Sequence, residues 1–461
     1  MPTFRADPDS SNPPVEEGRY YAFIQSVKED SVTLEITDAT NRLLDNSHES
    51  VSWRSELREH WNTALRSTDP DTRRTAGTEL ASSLHEFRSS FITVSTAQTL
   101  DEIVDSHPSP APDTWNQWHE QGRWLVLEVI VSAGFSGTVE HISPVSQPRQ
   151  RLLERTFSMA LWPSASAPDI AVELNTIVDI AACVVLDVGQ ASANALVSSE
   201  GRPYLYFDAG APQSHDIATS ATYCTHEGPL VILSHWHKDH WAGEKHNPEL
   251  LACKWIAPRQ NISLHQSQFA SRIIAAGGEL LIMKRNSVGR KRADLQDPLS
   301  PGLLLEYCSG PQGNLNSCGL ALQVSWPQHD EHWLFPGDAD YKYLPPRMTT
   351  PNAPTLLVAT HHGAAPFART QAPSPGAKLT NRRLIYSYGA HNTYSHPTPR
   401  AKTAHETAGW TYPASGYWGA DVRATVGSAA QGRCSIMVGI DTVALPTGHL
   451  TRPPHNLTIR T

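Results

Sequence analysis

Apolar and polar positions follow two different periods in the first part of the chain. The runs Tyr20–Val27 and Ser31–Ile36 are rich in aromatic and β-branched residues and are joined by a short polar turn, which predicts a β-hairpin. Between residues 50 and 93 the apolar residues return at helical spacing instead. This helical stripe, typical of a core-facing helix, contains Trp53, Leu57, Trp61 and Leu65. A second pair of strands is predicted at 124–131 and 137–141.

From residue 176 onward, strand-like apolar runs repeatedly end in polar clusters. The runs are 182–186, 204–207, 229–233, 333–335, 355–359 and 383–388, and a helix-like segment lies at 264–276. Apolar strands that carry polar side chains at their ends, with helices between them, predict layered sheets flanked by helices. The expected fold class is therefore α/β, or α+β.

The length of 461 residues and this change of pattern predict two domains. We expect a disordered polar start at 1–17, an N-terminal α+β domain at 18–175, a larger C-terminal domain at 176–445 and a tail at 446–461. A stretch rich in Pro, Ser and Ala at 163–168 lies near the predicted boundary.

Composition narrows the classes of protein that fit. A net charge of -9 argues against a broad basic surface that coats nucleic acid. The 6 cysteines contain no C-x-x-C pair, so buried reduced thiols are favoured over a disulfide framework or a zinc ribbon. No apolar run is long enough to span a bilayer, and the first residues do not resemble a signal peptide, so we expect a soluble cytoplasmic protein without a membrane partner.

The segment Ser234–His240 carries the most specific chemistry. His235 and His237 lie two residues apart, so an extended or looping backbone points both imidazoles the same way, and Asp239 and His240 follow at once. Imidazole nitrogen and carboxylate oxygen suit zinc, and also iron or manganese. A solvated histidine-rich turn is the alternative, which the preceding buried strand disfavours.

The same segment matches the signature of the metallo-β-lactamase superfamily. Companion motifs occur in the expected order at Leu186–Gln190, Phe207–Gly210, Pro336–Ala339, His361–Gly363 and Ser387–Pro397. Over about residues 180–440, the set resembles the hydrolase domain of ComEC-type DNA-uptake proteins and their soluble relatives. The resemblance implies an αββα sandwich and does not reach the first 175 residues.

The resemblance also implies ligands for two metal ions. His235 and His237 would hold one ion, Asp239 and His240 the other, and Asp338 would bridge them. One of the paired histidines that follow would complete the second site. The candidates are His361 and His362, of which His362 is favoured because it directly precedes Gly363.

Further residues are placed around the metal ions by the same resemblance. Asp208 would support the histidine loop, and Asp187 would lie nearby. His396 would bind phosphate or protonate a leaving group, and a capped turn before Pro397 is its structural alternative.

Two departures from the family pattern matter. Many members have another metal-binding histidine before the bridging Asp, where this chain has Asn314–Gly319, so Asn316 or water would fill the position. Gln190 is followed by Ala191 and Ser192, where ComEC relatives usually have Gly-Asp. The membrane channel of ComEC proteins is also absent from the sequence, so DNA transport is not implied.

Signals for the substrate are weaker. A basic cluster consists of Lys284, Arg285, Arg290, Lys291 and Arg292. It would track phosphates beside the active face, although a solvated charged loop is the preferred interpretation. Asn392 is a further weak candidate for substrate binding. For Trp236 and Trp241, packing of the metal loop is favoured over base stacking.

We therefore expect a metal-dependent hydrolase, with a phosphodiesterase or nuclease that uses a metal-activated hydroxide as the favoured form. Its catalytic residues would be Asp239, Asp338 and His396, and its cofactor two Zn²⁺ ions, with Mn²⁺ or Fe as alternatives. Nucleic acid or another phosphodiester would be the substrate, and the N-terminal region would recruit a protein partner or the substrate. The alternatives are hydrolysis of a small ester or lactam, and a metal-binding regulatory module without catalysis.

Overall fold

A computed structural model gives the three-dimensional structure of the chain. In the first part of the chain it describes residues 3–6, 15–27, 31–39, 41, 44, 48–85, 87, 89–95, 114, 117–118, 124–133, 136–157 and 159. From there it describes 162–440 except 213–221, 295, 298, 351–352, 367–369, 378–381, 390–393, 412–421 and 426–433, and finally 459–460.

The described residues form strands, α-helices and short 3₁₀ helices. The α-helices are α1 (His48–Arg66), α2 (Pro70–His85), α3 (Gln147–Phe157), α4 (Ala167–Asn175), α5 (Leu264–Ala275), α6 (Pro346–Thr349) and α7 (Pro399–Ala408). The strands before α4 are β1 (Thr3–Ala6), β2 (Gly18–Val27), β3 (Ser31–Asp38), β4 (Ser89–Ser95), β5 (Trp124–Ala133) and β6 (Ser136–Pro144). Those that follow are β7 (Ala182–Val185), β8 (Ala193–Val197), β9 (Pro203–Ala209), β10 (Leu230–Ile232), β11 (Lys254–Pro258), β12 (Glu279–Met283), β13 (Val288–Lys291), β14 (Gly302–Tyr307), β15 (Leu320–Trp326), β16 (Glu331–Phe335), β17 (Leu356–Val358), β18 (Arg383–Tyr386), β19 (Val422–Ala424), β20 (Ser435–Gly439) and β21 (Ile459–Arg460).

Contacts divide the chain into two compact units that interleave along the sequence. The first unit contains Met1–Pro163, Gln260–Gly277 and Pro311–Asn314. The second contains Ser164–Arg259, Gly278–Gly310 and Leu315–Thr461. Helix α5 therefore belongs by its contacts to the first unit, although its sequence lies far from the rest of it. The domain boundaries predicted at residues 175 and 445 stay predictions.

The first unit is built on a closed barrel of antiparallel strands in the order β1-β4-β3-β2-β5-β6. The predicted hairpin is confirmed as β2 and β3, and the second strand pair as β5 and β6. Alternate residues point inward, as a strand period of two requires, and form the barrel core. This core includes Ala22, Ile24, Val32, Leu34, Ile36, Leu125, Leu127 and Val129.

Helices α1 and α2 stand between β3 and β4 in sequence, and α2 packs against α5. A Cβ atom on Gly77 of α2 would lie 2.6 Å from the backbone nitrogen of Ala275, so only glycine allows this approach. At the other end of α5, the buried carboxylate of Glu35 accepts a hydrogen bond from the His265 N–H at 2.8 Å. An acceptor there satisfies a donor that the first turn of a helix leaves open.

The second unit contains two mixed sheets. The eight-stranded sheet has the order β12-β11-β10-β9-β8-β7-β20-β21, and the seven-stranded sheet β13-β14-β15-β16-β17-β18-β19. Apolar side chains from both sheets form one core, in which the rings of Phe207 and Phe335 lie 5.9 Å apart. On β14, Leu303 and Leu305 belong to that core, while Leu304 belongs to a second apolar cluster that includes Trp410. The predicted layers of sheets and helices are thus confirmed as a mixed α and β architecture.

Two predictions about the chain ends need correction. Residues 3–6, expected in a disordered start, form β1, which pairs with both β4 and β6 and closes the barrel. Residues 459–460, expected in a tail, form β21 and extend the eight-stranded sheet beside β20. Within the described ranges, no helix combines the length and apolar character needed to cross a bilayer.

Candidate metal centre

Parallel strands bring the predicted ligands to one edge of the second unit. In the eight-stranded sheet β9, β10, β11 and β12 run parallel, as do β16, β17, β18 and β19 in the other sheet. The carboxyl ends of parallel strands share an edge, which is where polar groups collect in such sheets. Asp208 is the last residue but one of β9, and the histidine cluster follows β10. Asp338 follows β16, and His362 follows β17.

Asp208 holds the histidine loop in place through hydrogen bonds. Its buried carboxylate accepts hydrogen bonds from the Ser234 backbone N–H at 2.7 Å, the Ser234 hydroxyl at 2.9 Å and His240 Nδ1 at 2.7 Å. Because Nδ1 is held by Asp208, Nε2 is the nitrogen of His240 that faces Asp338. Gly210, two residues on, lies so close to the loop that a Cβ atom would stand 1.8 Å from the Asp239 carbonyl oxygen.

The loop itself is held by two buried indoles. Trp236 donates through Nε1 to the Pro258 carbonyl at 2.9 Å, and Trp241 donates to the Trp236 carbonyl at 3.1 Å. Both side chains are fully buried. They therefore pack the loop, as favoured from the sequence, and present no face on which a base could stack.

The ligand candidates form two groups, each able to hold a metal ion. His235, His237 and Asp338 make up the first group, and Asp239, His240 and His362 the second, with donor atoms within 4.8 Å of one another in each. Asp338 stands between them, with Oδ1 3.2 Å from His240 Nε2 and Oδ2 3.7 Å from His235 Nε2.

Of the paired histidines, only His362 lies in one of the two groups. Its Nδ1 donates to the Ser387 carbonyl oxygen at 2.9 Å, which directs Nε2 toward Asp239 Oδ2 at 3.4 Å. His361 is more exposed, and its Nε2 lies 3.6 Å from Asp338 Oδ2. Both histidines and Gly363 adopt left-handed backbone conformations, with φ of 48°, 55° and 89°. Such backbone is costly for histidine, and it allows adjacent rings to reach the same carboxylate.

Buried nitrogen atoms show that these residues suit a metal ion. Among the described residues, neither His240 Nε2 nor His362 Nε2 has a hydrogen-bond partner, although both rings are buried. A buried polar atom without a partner costs free energy, and a cation that accepts its lone pair would remove that cost. The donors are imidazole nitrogens and carboxylate oxygens, the set that zinc, manganese and iron use.

Burial and neighbouring charges shift the pKa values of the residues in the two groups, and the direction differs from residue to residue. Burial lowers the pKa of His235 well below its usual value and that of His237 to about 4, so both rings are neutral. Burial also opposes the charge of His240, but the carboxylates of Asp338 and Asp208 raise its pKa well above the usual value. Asp338 is buried too, yet His240 and His361 hold its pKa well below the usual value.

His396 lies beside the groups rather than in either of them. The centroid of its ring is 5.6 Å from that of His361 and 6.4 Å from that of His362. Nδ1 lies 3.2 Å from Nε2 of the Gln190 side-chain amide, which donates to it. Burial lowers the pKa of His396 to about 3, so the ring is neutral and carries its proton on Nε2.

The remaining candidates lie in several places. Asp187 accepts from the Gly189 N–H at 3.4 Å within its own turn, and Oδ1 of Asn316 is buried without a hydrogen-bond partner among the described residues. Lys291 must be corrected: it is buried and donates to the Ser300 hydroxyl and the Pro301 carbonyl, so it cannot meet a substrate. Lys284, Arg290 and Arg292 are exposed, and Arg285 is half-buried. Asn392 lies outside the described residues.

Several groups that position the candidate ligands have no signal in the sequence motifs. The Ser387 carbonyl orients His362, and a backbone oxygen leaves no trace in residue type. His405 of α7 bridges the hydroxyls of Tyr341 and Tyr386 at 2.7 Å each. The Tyr341 hydroxyl in turn accepts from the Thr360 N–H at 3.3 Å, at the start of the segment that carries the paired histidines.

No protein-family model matches the chain, and no curated protein matches it in sequence. The functional proposal below therefore depends on the geometry of the two groups.

Proposed function

We propose that the second unit is a metal-dependent hydrolase of phosphodiesters, a nuclease by preference, built on a metallo-β-lactamase sandwich. One observation carries this proposal: two groups of histidines and aspartates, each able to hold an ion, meet at the buried carboxylate of Asp338. A carboxylate with one oxygen toward each group suits a bridge between two ions, and paired ions suit the attacking and leaving oxygens of a phosphodiester.

The first ion would be held by His235, His237 and Asp338, and the second by Asp239, His240 and His362, with Asp338 shared. Zinc fits this donor set best, and manganese or iron are the alternatives. When bound, such ions supply Lewis acidity and lower the pKa of a coordinated water toward neutrality.

The protein's own residues prepare the site in three ways. Asp208 fixes the His240 ring through Nδ1, so that ring offers only Nε2 to an ion. The left-handed segment at His361 and His362 brings both rings to the aspartates. His396, neutral with its proton on Nε2, is suited to donate a hydrogen bond to a phosphate oxygen.

The test is hydrolysis by the purified, full-length chain loaded with Zn²⁺ or Mn²⁺. Substrates are single- and double-stranded DNA, RNA and bis(p-nitrophenyl) phosphate, with metal content measured alongside. We expect close to two ions per chain and activity that Asp338→Asn lowers at least about a hundredfold. Asp340→Asn is the matched control, because Asp340 is buried in the same loop and caps the Lys342 N–H at 3.1 Å without belonging to either group.

Inactivity of the wild type on every phosphodiester would refute the proposal, as would equal activity of wild type and Asp338→Asn. Hydrolysis of a small carboxylic ester or a lactam instead would indicate that the same residues act on a different class of substrate. One ion or none, without hydrolysis, would indicate a regulatory module.

A further inference from the structure

The two loops that carry Asp338 and His362 are joined to each other by Thr360. Asp338 follows β16 and His362 follows β17, and these parallel strands are neighbours in the seven-stranded sheet. Asp338 belongs to the first group of candidate ligands and His362 to the second. The position of one group relative to the other therefore depends on how these two loops are held together.

Thr360 makes hydrogen bonds to the Asp338 loop through both its side chain and its backbone. Its hydroxyl donates to the Ala339 carbonyl oxygen at 2.6 Å, and the Gly337 carbonyl oxygen lies 3.2 Å from the same hydroxyl. Its backbone N–H donates to the Tyr341 hydroxyl at 3.3 Å. Because Thr360 is buried, a carbonyl that lost the hydroxyl would be left without its donor at some cost in free energy. The contacts with the residues on both sides of Asp338 hold the loop at the point where the carboxylate leaves it.

The residue after Thr360 strengthens the same connection. The His361 N–H donates to the Gly337 carbonyl oxygen at 3.2 Å. Gly337 has a φ of 59°, and a Cβ atom on it would lie 2.7 Å from Cβ of Ser234. The Gly337 backbone is therefore in close contact both with Ser234, at the start of the histidine cluster, and with the segment that begins at Thr360. Three loops that supply candidate ligands meet at this glycine.

The segment that begins at Thr360 has a backbone conformation that needs such support. His361 and His362 have φ of 48° and 55°, in the left-handed region that is costly for residues with a side chain. Backbone of this kind persists only where the surrounding contacts determine it. The Ser387 carbonyl oxygen holds the His362 ring, and the hydrogen bonds of Thr360 hold the start of the segment. Loss of the Thr360 hydroxyl would therefore let His362 shift relative to Asp338.

We propose that Thr360 is a positioning residue, which sets the distance between Asp338 and His362 and so determines how tightly the second ion is bound. This rests on the metal-dependent hydrolase proposed above, and it adds to the metal centre a residue that is not itself a ligand. His362 belongs to the second group, whereas His235 and His237 of the first group follow β10 in the other sheet. A shift of the His362 segment therefore weakens binding of the second ion and leaves the first largely unchanged.

The test is a titration of the purified, metal-free, full-length chain with Co²⁺, followed by calorimetry and by visible absorption. Thr360→Val keeps the branched shape of the side chain and removes the hydroxyl. We expect this variant to bind one of two ions about tenfold more weakly than the wild type and the other with unchanged affinity. The visible bands of the weakened ion should shift as well, because they depend on the ligand geometry around cobalt. Thr360→Ser, which keeps the hydroxyl, should recover both the affinity and the bands.

Thr355 provides a matched control at the other end of β17. It is buried like Thr360, and its hydroxyl donates to Glu331 Oε2 at 2.5 Å and accepts from the His332 N–H at 3.1 Å. Thr355→Val should lower the free energy of unfolding of the metal-free chain, as Thr360→Val does, and leave both Co²⁺ affinities unchanged. The comparison separates a role in positioning ligands from a role in stability alone.

Equal Co²⁺ affinities of the wild type and Thr360→Val would refute the positioning role while the hydrolase stands. An equal loss for both ions, the same loss in Thr355→Val, or no recovery in Thr360→Ser would also refute it, because each indicates a general loss of structure. A wild type that binds two ions but cleaves none of the phosphodiesters would refute the hydrolase alone, since the titration needs no turnover. Binding of fewer than two ions by the wild type would refute the positioning of a second ion.

Discussion

Asp208 is a single side chain on which the orientation of three groups depends. It accepts from the Ser234 backbone, the Ser234 hydroxyl and His240, all inside a fully buried pocket. An amide in its place has one acceptor oxygen where the carboxylate has two, and its NH₂ group cannot accept the proton of His240 Nδ1. The tautomer of His240 that leaves Nε2 open would lose its support.

We therefore expect Asp208→Asn to fold but to bind metal about 10- to 100-fold more weakly. Competition with a chromophoric chelator measures this directly. Asp179→Asn, which changes a partly exposed carboxylate that accepts from Ser199, should bind metal like the wild type. Equal affinities for Asp208→Asn and wild type would show that Asp208 does not orient the ligands.

The buried side chain of His405 should make the stability of the folded chain fall at acidic pH. Burial lowers its pKa to about 4 in the folded chain, against an ordinary value near 6.5. Between those pH values the unfolded chain binds more protons, so the contribution of His405 to stability is complete above about pH 6.5 and is lost as the pH falls toward 4. The loss amounts to on the order of 3 kcal/mol at most.

His405→Gln removes the titration and keeps a donor and an acceptor for the two tyrosine hydroxyls. Urea unfolding at pH 7, 6 and 5 should show the free energy of unfolding falling more steeply for the wild type than for His405→Gln. A difference between the two that stays constant with pH would contradict the assignment.

The candidate metal ligands could be found in the sequence because they occur in contiguous motifs at strand ends. It could not locate their partners. Gln190 and His396 are separated by 206 positions, and the signal for their contact is the fold itself. His405 lies on an ordinary polar helix, and a threonine that follows a strand, such as Thr360, is no signal in itself.

Among the secondary-structure elements, helices α1 and α2 show where local sequence decides structure. The helical stripe predicted over 50–93 is divided by Ser67–Asp69, where Asp69 accepts from the Thr72 N–H at 2.9 Å and Pro70 opens α2. Trp61 and Leu57 are buried as expected, whereas Leu65 is only partly so and Ala64 takes the core position. Both the capping Asp69 and Pro70 can be recognised in the sequence as signals for the start of a helix.

The close contact of α2 with α5 predicts how a substitution at Gly77 changes the free energy of unfolding. Alanine is a better helix former than glycine by about 1 kcal/mol, yet a Cβ at Gly77 would lie 2.6 Å from the Ala275 nitrogen and 2.7 Å from Ile274 Cγ2. We expect Gly77→Ala to lower the free energy of unfolding by about 1–3 kcal/mol, because overlap with backbone outweighs helix propensity. Thr78→Ala, exposed on the same helix, should be neutral in thermal denaturation, and a stabilised Gly77→Ala would contradict the close approach.

Short strands were the elements that the sequence could not reveal. β1 has four residues and β21 two, too few to show a period. Their pairing depends on partners distant in sequence, as does closure of the barrel, and hairpin signals specify only adjacent pairs.

For the whole molecule, metal binding should couple to protons and to stability. The raised pKa of His240 keeps its ring protonated without metal, and an ion must displace that proton. Metal affinity should therefore rise with pH, with protons released on binding that calorimetry in buffers of different ionisation enthalpy can count. Removing metal should lower Tm, by the equivalent of about 2.7 kcal/mol when the free ion had stood at a hundred times Kd. A chain carrying Asp338→Asn should show a smaller response to a chelator, and an equal response would contradict this account.

The interleaving of the two units determines when the first can be completed during synthesis. Its barrel needs residues 3–5 to pair with residues 136–138, and helix α5 follows only at 264–275. Until that helix emerges from the ribosome, Glu35 has no His265 N–H to bind and Gly77 faces no neighbour. The N-terminal unit therefore cannot finish folding before helix α5 has been made. More than half of the polypeptide must be made first, so a fragment that stops at Pro163 would lack a part of its own core.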